Sequence, residues 1–214
     1  MLIDPNGWCD AARPCLSPNY DARPAGAGPD LVILHHISLP PDSYGGPAIE
    51  RLFTNTLEAD AHPYYRDVAH LRVSSHFLIR RDGELVQFVP TCRRAWHAGQ
   101  SHWQGRERCN DFSIGVELEG CDSLPFEGVQ YAVLAGLLVE LCARFPVEGV
   151  VGHSDIAPGR KTDPGPYFSW GRLRQHLRDL GAARIAVLVE PGEGDGGADP
   201  AYMRWPFPLQ GRPL

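Results

Sequence analysis

Apolar positions change period several times along the chain. LVILHHI (31–37) is a short apolar run with two histidines set into it, the pattern of a strand buried on both faces. RVSSHFLIR (72–80) and ELVQFVP (84–90) flank Asp82-Gly83, a strong hairpin turn signal. FSIGVELEG (112–120) alternates: Ile114, Val116 and Leu118 face one way, and Ser113, Gly115, Glu117 and Glu119 the other. VQYAVLAGLLVELCARF (129–145) is apolar round most of a helical circumference, which predicts a central helix. EGVVGH (148–153) reads as a last strand and GPAIERLFTN (46–55) as a short helix. Ser169 to Leu180 reads as a C-terminal helix with Ser169 as its N-cap. This order predicts an α/β fold: a single domain with a mixed central β-sheet flanked by α-helices.

Punctuation sets the expected boundaries. Residues 191–214 hold 10 Gly and Pro in 24 positions, and residues 1–30 hold 8. The expected organisation is a Pro/Gly-rich lead-in over 1–30 packed on the domain, a core domain over 31–180, and a Gly/Pro-rich tail over 181–214. Tyr202, Trp205 and Phe207 give that tail some apolar surface to pack back with. At 214 residues the chain is long enough to bury a core without disulfide staples. The six cysteines include no C-x-x-C pair and read as free thiols.

Charge narrows the function classes. A net charge of −6 argues against a basic surface that holds nucleic acid. No stretch approaches the ~18 apolar residues of a membrane span. The start, MLIDPNGWCD, lacks the basic and apolar regions of a signal peptide, so a cytoplasmic location is expected. The 20 basic residues comprise 19 Arg and a single Lys, Lys161.

Several motifs fail on inspection. There is no H-E-x-x-H, and Gly152-His153-Ser154 lacks the closing Gly of a nucleophile elbow because position 156 is Ile. Gly192, Gly194 and Gly197 match G-x-G-x-x-G, but no helix is expected after them and the sequence stops short of the position of the ribose-binding acid that a dinucleotide site needs.

A different constellation carries chemistry. His35 and His36 lie in an apolar strand, where an imidazole needs a partner. Alternation turns only one of them to any given face, and parity alone does not choose between them. GHSDIAPGRKTDPGP (152–166) sets His153 at a strand end and Asp163 ten residues later in a Pro/Gly-punctuated loop. Two imidazoles and one carboxylate are a common ligand set for catalytic zinc. On the small-residue face of 112–120, Glu117 is the candidate general base, and Glu119 reads as part of a solvent-facing strip. Lys161, two residues from Asp163, is placed to stabilise an oxyanion as a compact point charge.

These residues resemble a known family. ILHHIS, AHLRVSSHFLIRRDGELVQFVP, RAWHAGQSHWQGRERCNDFSIGVELEG and GHSDIAPGRKTDPGP look like the zinc-dependent N-acetylmuramoyl-L-alanine amidases of the phage-lysozyme-like type, over about residues 8 to 178. The resemblance implies that His35, His153 and Asp163 bind Zn²⁺. It implies that Glu117 activates water and that Lys161 supports the oxyanion. Arg72, Trp96 and Arg108 match positions lining a substrate cleft, where an indole covers a sugar face and Arg grips peptide carboxylates. Family members commonly carry Asn where this chain has His36, a candidate substrate contact. The nearest likeness is to the cytoplasmic branch that recycles peptidoglycan fragments. It implies a small-molecule 1,6-anhydromuropeptide substrate, with no nucleic acid, membrane or obligate protein partner. Two rival readings are a non-catalytic peptidoglycan-recognition module and an amidase acting on intact cell wall.

Overall fold

The computed structural model describes residues 1–188. The glycines at 192–197 and the aromatic residues of the expected tail lie outside the described residues. In chain order the elements begin with β1 (Arg13–Pro14), β2 (Tyr20–Asp21), β3 (Leu31–Ile37), α1 (Ala48–Phe53) and α2 (Tyr65–Val68). β4 (Phe77–Ile79), β5 (Leu85–Gln87), β6 (Arg94–Ala95), β7 (His102–Trp103), β8 (Arg106–Glu107) and β9 (Ser113–Glu119) follow. The chain then runs through α3 (Gly128–Arg144), β10 (Gly149–Gly152), α4 (His153–Ile156) and α5 (Trp170–Asp179).

Six strands form the central sheet in the order β1-β5-β4-β9-β3-β10. β4 and β5 are the antiparallel hairpin closed at Asp82-Gly83, and the other neighbours are parallel, so the sheet is mixed. Alternation sorts the side chains into two layers. Val32 and Leu34 of β3 and Ile114, Val116 and Leu118 of β9 pack beneath Leu134, Leu138 and Leu141 of α3 and Leu173 and Leu177 of α5. The opposite parity, Leu31 and Ile33 with Val151 of β10, packs with Ala98, Phe112 and Ile156. Further along that second face, Leu78 and Val86 pack with Ile49, Leu52 and Phe53 of α1. One face is therefore closed by helices, and the other by short elements and loops that leave room for polar side chains.

The helix ends follow local chemistry. Glu127 and Gln130 form a reciprocal cap at the start of α3. Ser169 Oγ accepts from the Arg172 amide at 3.2 Å and caps α5. From the lead-in, Ile3 and Cys9 enter the main core cluster. Past α5, Val150 pairs in parallel with Val187, and Leu188 N donates to Val150 O at 2.8 Å beside β10. All six cysteines are free.

One expectation is overturned. Glu119, read from the sequence as solvent-facing, is 2% exposed. Its Oε1 accepts from Arg80 Nη1 at 3.1 Å and Gly45 N at 2.7 Å, and its Oε2 from Arg81 N at 3.2 Å. A carboxylate tolerates burial only when paired and hydrogen-bonded in this way. The guanidinium arrives from the end of β4, 39 positions away.

Candidate metal centre and active site

The sheet register builds the site. Leu34 of β3 lies beside Gly152 of β10, so the next residues, His35 and His153, come level. On the other side, His35 is the register partner of Glu117 on β9. All three side chains therefore gather near the carboxyl ends of parallel strands, where open α/β sheets present their ligand sites. Gly152 lets the loop close over β10: a Cβ there would lie 2.8 Å from Pro164 Cδ. Ser154 N donates to Asp163 O at 2.9 Å, which turns Asp163 back to the start of α4.

The result is a tight triangle. His35 Nδ1 lies 2.9 Å from His153 Nδ1 and 3.1 Å from Asp163 Oδ2, and His153 Nδ1 lies 3.0 Å from the same oxygen. All three residues are buried. Burial pushes the His35 imidazole down to about 4 against the opposing pull of Asp163, so it stays neutral near pH 7. Burial of Asp163 works to raise its carboxyl, but the two imidazoles outweigh it and hold the group well below the usual carboxylate range.

The donor set fits a cation. His153 Nε2 lies 3.1 Å from the Ala98 carbonyl, which only accepts, so that nitrogen carries the proton and Nδ1 is free to offer a lone pair. Two ring nitrogens and an ionised oxygen then converge on one point. A single proton can bridge only two of them, whereas a metal ion takes all three. Two imidazoles and one carboxylate are the ligands of open, catalytic zinc sites.

Glu117 stands beside the triangle, 9% exposed, and its buried Oε2 has no hydrogen-bond partner. Burial, then the charge of Asp163, push its carboxyl well above the usual range, while Lys161 pulls the other way. A carboxylate so placed is a strong proton acceptor. Lys161 is itself exposed, and its charge acts on both Glu117 and His35.

The remaining candidates are spread more widely. Trp96 immediately precedes His97, and its Nε1 is buried without a partner. Arg108, at φ 60°, is largely exposed and lies 3.4 Å from Asp111. It lines a cavity of about 370 Å³ together with Ile156, Ala157 and Arg160 of the segment that follows His153. Arg72 is exposed, and its Nη1 reaches back to the carbonyls of His70 and Leu71 at 3.3 and 3.4 Å. His36 turns away from the triangle. Its Nε2 lies 3.0 Å from Asp122 Oδ1, and Asp122 Oδ2 accepts from Thr162 Oγ1 at 3.0 Å.

Sequence reasoning missed His97, Ala98 and Asn110. His97 Nδ1 lies 3.0 Å from His35 Nε2, and the Asn110 side chain accepts from the amides of both His97 and Ala98. The available signal was a count of nine histidines, more than the metal triangle uses.

The chain as a whole is similar to known proteins. The family model N-acetylmuramoyl-L-alanine amidase (Amidase_2) matches residues 25–166, which contain the whole triangle, Glu117 and Lys161. The chain belongs to this amidase family. The 1,6-anhydro-N-acetylmuramyl-L-alanine amidase AmpD of Citrobacter freundii is 56% identical over 176 residues, 81% of this chain and 94% of its own. A crystal structure of a selenomethionine AmpD derivative matches with a TM-score of 0.80 at 56% identity, covering 82% of this chain and 99% of that one. Escherichia coli AmiD, another N-acetylmuramyl-L-alanine amidase, was solved with anhydro-N-acetylmuramic acid-L-Ala-D-gamma-Glu-L-Lys. It matches with a TM-score of 0.51 at 29% identity, covering 84% of this chain and 62% of that chain. Within the amidase family, then, this chain shares nearly the full length of its AmpD relatives.

Proposed function

We infer that the protein is a 1,6-anhydro-N-acetylmuramyl-L-alanine amidase of peptidoglycan recycling. It hydrolyses the amide between the lactyl group of the anhydro sugar and L-alanine of the peptide stem. The single observation that carries this reading is the convergence of His35, His153 and Asp163 beside Glu117 in a chain 56% identical to AmpD.

In this reading His35, His153 and Asp163 hold Zn²⁺, the metal that the family uses in general. Zinc held there supplies Lewis-acid chemistry, lowering the pKa of bound water towards ~7 and polarising a carbonyl. Glu117 accepts the proton of the attacking water and hands it to the leaving alanine nitrogen. Its lone, unpartnered Oε2 leaves an oxygen free for that exchange. Lys161 supports the negative charge that develops on the carbonyl oxygen as the amide becomes tetrahedral. Trp96 covers the sugar face, and Arg108 and Arg72 receive the peptide carboxylates. His36, paired with Asp122, which also accepts from Thr162 on the loop that carries Asp163, is the remaining proposed substrate contact.

The working domain in this proposal is 31–180, with the 1–30 lead-in packed on it and a Gly/Pro-rich tail over 181–214, whose first residues to Leu188 run beside β10. No described helix is long and apolar enough to cross a membrane. A soluble anhydromuropeptide in the cytoplasm is the proposed substrate, and no protein or nucleic-acid partner is required.

Turnover of an anhydromuropeptide set against turnover of intact sacculi tests this choice. At matched stem-peptide concentration, the soluble fragment is expected to be cleaved at least ~100-fold faster, about 2.7 kcal/mol of differential transition-state binding. Equal or faster release of peptide from sacculi would instead favour a cell-wall amidase.

A further inference from the structure

Both imidazoles of the triangle place their outer nitrogen against a segment from outside it. For His35 to offer Nδ1 to a metal, its proton must sit on Nε2. That nitrogen lies 3.0 Å from His97 Nδ1, which must therefore carry a lone pair. The proton of His97 then belongs on Nε2, which lies 3.3 Å from Ser113 Oγ, a hydroxyl able to accept. The next residue does the same for the second imidazole: the Ala98 carbonyl, 3.1 Å from His153 Nε2, accepts its N–H.

The backbone of this dipeptide is itself held. Asn110 Oδ1 accepts from His97 N at 3.1 Å and from Ala98 N at 2.8 Å. Below, the His97 ring lies flat enough on β9 that a Cβ at Gly115 would come within 2.5 Å of it. No other residue type fits under the ring without displacing it. His97 meets His35 edge to face, with ring centroids 5.0 Å apart and planes at 85°.

We propose that the His97–Ala98 dipeptide, pinned by Asn110, is a positioning unit that turns the Nδ1 lone pairs of His35 and His153 to the metal. The competing state explains why such a unit is needed. Without an acceptor at His97, the preferred proton position on His35 is Nδ1, where Asp163 Oδ2 waits at 3.1 Å. That tautomer closes the site to a cation. Outer partners of this kind are worth about 10–100-fold in metal affinity. The inference rests on the zinc reading above, and the experiment separates the two.

The test compares zinc affinity, by chelator competition, for the wild type, His97→Asn and His97→Phe. Asparagine keeps an acceptor oxygen at the place of Nδ1, while phenylalanine keeps a ring and removes the acceptor. His97→Phe is expected to bind zinc at least ~10-fold more weakly, and His97→Asn to stay within about 3-fold of wild type. A ¹⁵N spectrum of the zinc-loaded wild type provides a readout that does not depend on any variant folding. It should show His35 protonated at Nε2, with scalar coupling across the hydrogen bond to an unprotonated His97 Nδ1. Wild-type affinity in His97→Phe, equal weakening in both variants, or a proton on His97 Nδ1 would each overturn the proposal while leaving the zinc reading intact. A wild type that takes up no zinc would overturn both.

Discussion

Asp163→Ala is expected to abolish zinc uptake and reduce amide hydrolysis by at least ~10³-fold while leaving the fold in place. The carboxylate is the only anionic corner of the triangle and faces both imidazole nitrogens within 3.1 Å. With alanine there, two neutral ligands remain, too few for a structural or a catalytic zinc site. The fold should survive, because Asp163 lies in a loop and belongs to none of the apolar clusters, although the apoprotein loses a carboxylate that the two imidazoles hold favourably ionised and should melt somewhat lower than wild type. Zinc should therefore raise the melting temperature of the wild type and not of the variant. Saturation at 1,000 times Kd stabilises a folded protein by about 4.1 kcal/mol. Calorimetry with and without zinc reads this directly. A variant that still melts higher with zinc would remove Asp163 from the ligand set.

Glu117→Gln is the second large effect, and its signature is different. The glutamine is isosteric and keeps one acceptor, but it cannot take a proton from water. General-base catalysis contributes about 10²–10⁴-fold, so kcat should fall by that factor with zinc content and KM close to wild type. Stability should move the other way. Glu117 is buried with an unpartnered oxygen, and burial pushes its carboxyl well above the usual range. Replacing a poorly solvated acid by a neutral amide removes that penalty, so the variant should be at least as stable as wild type. Such a trade of stability for activity is typical of catalytic positions. A variant with wild-type kcat would show that some other group accepts the proton.

The elements were largely legible in the sequence because each carried its own period. The apolar run at 31–37 became β3, and the alternating run at 112–120 became β9. The helix expected at 129–145 spans Gly128–Arg144. Most of what was not legible depended on pairing between distant strands. Parity could not choose between His35 and His36; the register of β3 with β9 does, by setting His35 beside Glu117. Glu119 shares the parity of Glu117 and looked like a surface acid. Only the fold brings Arg80 against it. His97 and Asn110 escaped notice for a related reason: they sit in and beside loops without periodicity, and their roles are set by contacts 62 and 13 or fewer positions away. A histidine in such a segment gives no local sign that it orients another histidine.

The central claim is that a zinc-loaded triangle cuts one particular amide. It is tested most directly by measuring zinc content and cleavage products on one sample of the wild-type protein. The substrate is a purified anhydro-N-acetylmuramyl peptide, with products identified by mass. The account predicts one zinc per chain, and release of the intact peptide with a free L-alanine amino group together with the anhydro sugar bearing a free lactyl carboxylate. Activity should vanish on chelation and return with zinc in proportion to the metal bound. Undiminished cleavage by metal-free protein, or a cut at any other bond of the fragment, would contradict it.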